Sequence, residues 1–169
     1  MKLTGKTALI TGGGTGIGRG AALALAREGA KVAVMGRRPD PLEETVELIK
    51  LNGGAAIACP GDVTIRADLE RTCALLENEW GRLDVLINNA GTVIFKPFLE
   101  TTMKEFDHVF RVDLRSVFET TQLVVPLMMK NGGGSIVNIS SILGVLGSKD
   151  ATAYCAMKGG VVNLTRALA

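Results

Sequence analysis

Tyr154 and Lys158 stand four residues apart in a stretch with helical spacing, so both side chains leave the same face. A free phenol ordinarily keeps its proton near neutral pH, and an ammonium beside it favours the phenolate. Tyr-x-x-x-Lys is therefore an acid/base pair able to give and take a proton in the working range. His108 is the only histidine, which argues against a Ser-His-Asp triad or a histidine metal site. Cys59, Cys73 and Cys155 are odd in number and widely spaced, so neither a disulfide framework nor zinc is indicated. A reducing cytoplasm fits them best.

A second chemical feature lies near the N-terminus. Gly12, Gly13, Gly14, Gly16, Gly18 and Gly20 fall within nine residues, out of 21 glycines in 169 residues. Backbone N–H groups and the positive end of a helix hold a phosphate only where no side chain keeps it away. A Walker A loop is disfavoured: after Gly13 and Gly18 come Arg19 and Gly20, without the Mg²⁺-binding hydroxyl. A strict G-x-G-x-x-G starting at Gly14 fails at Arg19, and starting at Gly16 it closes only on Ala21. Read alone, the loop could also be a ligand-free glycine turn.

These residues need elements to hold them. Short aliphatic runs at Thr7–Ile10, Val32–Met35, Ala55–Cys59, Leu83–Asn88 and Ser135–Ile139 read as strands. Helical patterns at Ile17–Glu28, Leu42–Leu51, Ala67–Trp80, about Met103 to Met129, and from Thr152 onward alternate with them. Strands apolar on both faces, each followed by a helix, predict a doubly wound parallel α/β sheet covered on both sides, in one domain over residues 1–169. With 47% hydrophobic and 21% charged residues the chain reads as globular. Its net charge of +2 comes without a basic stripe interleaved with aromatics, so no nucleic-acid footprint is expected. No apolar run approaches a membrane span or a signal segment, so no membrane partner is expected.

The loop Thr11-Gly12-x-x-x-Gly16-x-Gly18, with Asp62-Val63, Asn88-Asn89-Ala90-Gly91, Ser141 and Tyr154-x-x-x-Lys158 following in order, resembles the short-chain dehydrogenase/reductase family over essentially all 169 residues. The resemblance implies a Rossmann fold and hydride transfer between a nicotinamide cofactor and a carbonyl or secondary alcohol. Thr11, Gly12, Gly14, Thr15, Gly16, Ile17 and Gly18 would form the phosphate-facing loop. Asp62 and Val63 would flank the adenine, and Asn89, Ala90 and Gly91 would support the cofactor. Ser141 would hydrogen-bond the substrate carbonyl, Tyr154 would protonate the developing alkoxide, and Lys158 would bind the nicotinamide ribose. Ser140 is the second candidate for the serine role; the thirteen-residue interval to Tyr154 favours Ser141. At the end of the second strand, where an acid holds the ribose of NAD, stand Gly36, Arg37 and Arg38. Two cations suit a 2′-phosphate, so NADP(H) is expected over NAD(H), although a solvated basic turn would also read this way.

The chain is most similar to the 3-oxoacyl-(acyl-carrier-protein) reductase branch, which implies a small carbonyl, alcohol or acyl-thioester substrate and a homodimer or homotetramer. The glycine loop is also like that of enoyl-thioester reductases, but Ser141 and Tyr154 favour carbonyl chemistry. A dinucleotide-binding module without turnover is the competing class. Two departures stand out. Asp113 lies where the family usually has an asparagine completing a proton relay to the lysine; its charge is expected to keep Lys158 protonated and to raise the pH optimum. The chain also stops inside an apparent helix, so the family's last strands and substrate loop are expected to be missing and the domain C-terminally incomplete.

Overall fold

The computed structural model describes all residues from Met1 to Ala169. Five strands, β1 (Thr7–Thr11), β2 (Lys31–Gly36), β3 (Ala55–Pro60), β4 (Val85–Asn88) and β5 (Ser135–Asn138), form one sheet in the order β3-β2-β1-β4-β5. Every pairing is parallel, in registers such as Thr11 with Met35, Ile10 with Ile87 and Asn88 with Asn138. The helices are α1 (Gly16–Arg27), α2 (Pro39–Leu51), α3 (Arg66–Trp80), α4 (Met103–Phe110), α5 (Ser116–Lys130) and α6 (Thr152–Leu168).

Strand alternation splits the core into two layers. Ala8, Ile10, Val32 and Val34 face one side, where they pack with Ala22 of α1 and Leu42, Val46 and Ile49 of α2. Leu9, Ala33, Met35 and Leu86 face the other, against Leu69 and Leu76 of α3 and Val124 and Met128 of α5. Burying each of the larger side chains is worth about 1.5–3 kcal/mol, and that explains why the strands are apolar on both faces. Burial pushes the Cys59 thiol up to about 12, with Cys73 adding to the shift. Burial likewise lifts Cys73 to about 11, aided by Glu70 and Glu77.

Strand order reverses between β1 and β4, so the loops leaving their C-terminal ends diverge and open a crevice. At the opposite end of the sheet, Asp84 receives the Thr7 N–H (2.9 Å) and Arg82 Nε (2.9 Å) and closes the N-terminal edge of β1 and β4. Burial pushes its carboxyl up, but Arg82, the Thr7 N–H and Lys6 outweigh this and hold it below the usual carboxylate range.

Among the boundaries that differ from those expected, three bear on the cleft and its surroundings. The long helix around Asp113 is α4 and α5 joined by a π turn, Arg111–Arg115. The 3.6-residue pattern continues through this wider turn almost unbroken, so the sequence shows no break. Strand β5 stops at Asn138 rather than Ile139, and Ser141 lies beyond it, opening a 3-10 turn, Ile142–Gly144. Helix α2 starts at Pro39, a residue suited to a first turn because its missing N–H has no partner there anyway.

Candidate active site

The crevice is a cleft of about 410 Å³ walled by Gly12, Gly14, Thr15, Gly16 and Ile17 after β1, Arg37 and Arg38 after β2, Asp62 and Val63 after β3, and Asn89, Ala90 and Gly91 after β4. These are expected cofactor residues, brought together from four strand ends. Thr11 differs from its expected place: it is 2% exposed and does not line the cleft. Its hydroxyl instead accepts the backbone N–H groups of Asn89 and Ala90, both at 3.0 Å. Asn89 answers by donating Nδ2 to the carbonyls of Thr11 (3.0 Å) and Gly12 (3.2 Å). The β1 and β4 ends are thus clamped together by two residues at the switch point.

The loop fits an anionic phosphate. A side chain at Gly18 would collide with the Gly12 carbonyl oxygen and sit 2.6 Å from Asn89 Nδ2, so only glycine lets α1 start this close to the strand. Thr15 precedes α1 in extended backbone without a capping bond, and no acid lies in the first turn. The positive helix end therefore has no negative side chain of its own to satisfy it. Arg37 and Arg38, both exposed, form no ion pair within the protein and stand on the same wall.

Several residues of this wall escape a motif-based reading. Arg19, visible in the sequence only as a mismatch to other patterns, donates Nε to the Gly14 carbonyl (2.9 Å) and to Thr45 Oγ1 (3.0 Å), and Nη2 to the Pro41 carbonyl (3.2 Å). It ties the glycine loop to α2. Thr64, Thr92, His108 and Val112 also line the cleft. His108 and Val112 are one helical turn apart, a spacing that could have marked a shared face.

The residues expected to do acid/base chemistry gather beside the cleft and do not line it. Lys158 is 4% exposed and Asp113 fully buried. Lys158 Nζ lies 3.2 Å from Asp113 Oδ1, an ion-pair contact without hydrogen-bond alignment. The same ammonium donates to the Ile139 carbonyl at 3.0 Å, and it sits 5.6 Å from the centre of the Tyr154 ring. Asp113 Oδ2 accepts the Thr92 N–H at 3.0 Å. Burial pushes the Asp113 carboxyl up, against the opposing pull of Lys158 and that N–H. Gly91 seals the pair: a Cβ there would stand 2.9 Å from Asp113 Oδ1 and 3.5 Å from Lys158 Nζ.

The two serines are separated by their partners. Ser140 Oγ donates to the Lys158 carbonyl at 2.9 Å, anchoring α6. Ser141 Oγ accepts the Leu143 N–H at 3.1 Å, which leaves its own proton available. The turn that follows packs on α6, with Gly144 against the Lys158 backbone.

A parallel sheet whose switch point carries a glycine-rich phosphate cradle, with a Tyr–Lys pair beside it, defines a dinucleotide-binding α/β protein. The family model for short chain dehydrogenases matches residues 6–169, and the chain belongs to that family. It is 39% identical over 168 residues to a 3-oxoacyl-(acyl-carrier-protein) reductase of Thermotoga maritima, covering 98% of this chain and 68% of the relative. The crystal structure of a metagenomic short-chain oxidoreductase in complex with NADP superposes with a TM-score of 0.96 at 30% identity, covering all of this chain and 77% of that one. A 7α-hydroxysteroid dehydrogenase complexed with NADH and 7-oxo glycochenodeoxycholic acid superposes with a TM-score of 0.96 at 36% identity, covering 99% and 65%. The chain spans 62–68% of the length of three curated relatives it matches. No helix is long and apolar enough to cross a membrane.

Proposed function

We propose that this chain carries the cofactor and proton-transfer machinery of an NADP(H)-preferring oxidoreductase acting on a carbonyl or secondary alcohol. The observation that carries this reading is the position of Lys158: buried, ion-paired to Asp113 and 5.6 Å from the Tyr154 ring, on a helix that also packs against the Ser141 turn. A bound nicotinamide supplies or takes the hydride. Ser141 donates its hydroxyl proton to the substrate oxygen and orients it. Tyr154 delivers a proton to that oxygen as charge develops, and the Lys158 charge stabilises the phenolate left behind. Asp113 and the Ile139 carbonyl fix the ammonium in place.

Arg37 and Arg38, unpaired on the cleft wall, support the preference for a 2′-phosphate. Ile142, Val145 and Leu146, exposed by 68, 67 and 58% beside α6, support an apolar flank for the substrate. A groove of about 630 Å³ bordered by Phe110, Leu114, Phe118 and Leu164 supports homo-oligomer formation through α4, α5 and α6. Three free cysteines fit a reducing cytoplasm.

The test is oxidation of NADPH with acetoacetyl thioester and with a simple ketone. Turnover is expected, lost by at least about 10²-fold in Tyr154→Phe, the scale of one general acid; equal rates for the variant overturn the reading. The competing reading, binding without turnover, is favoured by one observation: Ser141, Tyr154 and Lys158 lie outside the open cleft. Quenching of NADPH fluorescence without oxidation would establish it. Replacing Arg37 and Arg38 with alanine should lower the NADPH/NADH ratio of kcat/KM at least about tenfold, as expected for loss of charge-assisted hydrogen bonds.

A further inference from the structure

His108 is the only histidine in the chain, and no motif accounts for it. It lies on α4, half-buried, and borders the same cleft as the glycine loop and Asp62, Val63 and Thr64. Its neighbour on that face is Val112, one helical turn on, which also borders the cleft. The next residue, Asp113, turns away to meet Lys158. The helix thus carries two faces side by side, one towards the open cleft and one towards the acid/base cluster.

The cleft's own lining indicates which part of a dinucleotide it takes. It includes the phosphate-facing glycines, both arginines and the β3 end, and it includes neither Ser141, Tyr154 nor Lys158. The open volume therefore belongs to the adenosine and its phosphates rather than to the reacting ring. We propose that His108 is a further cofactor-contact residue, its imidazole meeting the adenosine half of a bound dinucleotide from the α4 side. An imidazole offers a flat ring to a purine and a nitrogen on each edge, one donor and one acceptor when neutral. Val112 supplies the apolar floor beside it. This inference rests on the dinucleotide reading above.

The test compares His108→Ala and His108→Gln with the wild-type chain, titrating NADPH by fluorescence and adenosine 2′,5′-bisphosphate by calorimetry. Folding of each variant is checked by circular dichroism; His108→Gln keeps much of the volume should the alanine variant unfold. Both ligands are expected to bind about three- to tenfold more weakly to the alanine variant, the loss of one ordinary contact. In turnover the change should appear in KM for NADPH, with kcat unchanged. Unchanged affinity for both ligands would overturn the proposal. Weakened NADPH with unchanged bisphosphate would overturn its assignment to the adenosine half. Failure of the wild-type chain to bind either ligand would instead overturn the dinucleotide reading itself.

Discussion

Asp113 and Lys158 face each other across 3.2 Å at a site almost closed to solvent, where they are 0% and 4% exposed. Taking both charges out of water is costly, and their attraction offsets that cost only while both are present. Asp113→Ala leaves an ammonium buried with only the Ile139 carbonyl and should lower stability by about 3–5 kcal/mol in urea unfolding. The double variant Asp113→Leu, Lys158→Met removes both charges and should recover most of that loss. Equal midpoints for Asp113→Ala and the wild type would show that the pair contributes nothing.

The same carboxylate acts on the proton chemistry. In the proposed reaction it would add negative potential to a pocket holding a phenolate, working against Lys158. Asp113→Asn keeps an acceptor for the Thr92 N–H and removes the charge. The rising limb of the pH-rate profile for alcohol oxidation should therefore lie at lower pH in Asp113→Asn than in the wild type. Superimposable profiles would refute this role.

Acid stability draws on depressed carboxylates elsewhere, Glu105 and Asp84 among them. The Thr102 backbone N–H, the Thr102 hydroxyl and Lys96 draw Glu105 down to about 2, and Asp84 is held below the usual range by Arg82, the Thr7 N–H and Lys6 despite its burial. A group depressed in the folded state contributes stability above its unfolded value and loses it as pH falls through its folded value. Urea midpoints should therefore fall steadily from about pH 4.5 to about pH 2. Glu105→Gln should flatten part of that slope. Asp113, whose carboxyl is raised by burial, runs the other way: its contribution declines as pH rises above the ordinary carboxylate value.

Two glycines of α1 should respond oppositely to alanine. Gly18→Ala forces a methyl into the Gly12 carbonyl and Asn89, and should lose about 1–3 kcal/mol together with NADPH binding. Gly20, with nothing near its absent side chain, should gain about 0.5–1 kcal/mol from the better helix former. Parallel effects at both positions, measured by thermal unfolding and NADPH titration, would contradict this account of the loop.

The strands and the phosphate loop were legible in the sequence because their signals are local. Alternation along Ala8, Leu9 and Ile10 specifies a strand buried on both faces, and six glycines in nine residues mark a close backbone approach. What escaped detection acts across distance. Thr11 clamps residues 78 and 79 positions away, and Arg19 braces Thr45, 26 positions on; neither pairing leaves a trace in spacing. Asp113 and Lys158 meet directly although they are far apart in sequence, and Asp113 lies fully buried within a π turn that local periodicity does not report.

That π turn also sets the rotational phase of the helix it interrupts. It holds one residue more than an α turn, so the face carrying His108 and Val112 looks into the cleft while Val117, Thr121 and Val124 downstream stay buried against the sheet side. Losing a single residue between Arg111 and Arg115 would turn the upstream segment by about 100° relative to the sheet. Length at this point is as strict a requirement as residue identity: a one-residue insertion there would turn the segment by the same amount and separate Asp113 from Lys158 while leaving every named side chain in the sequence.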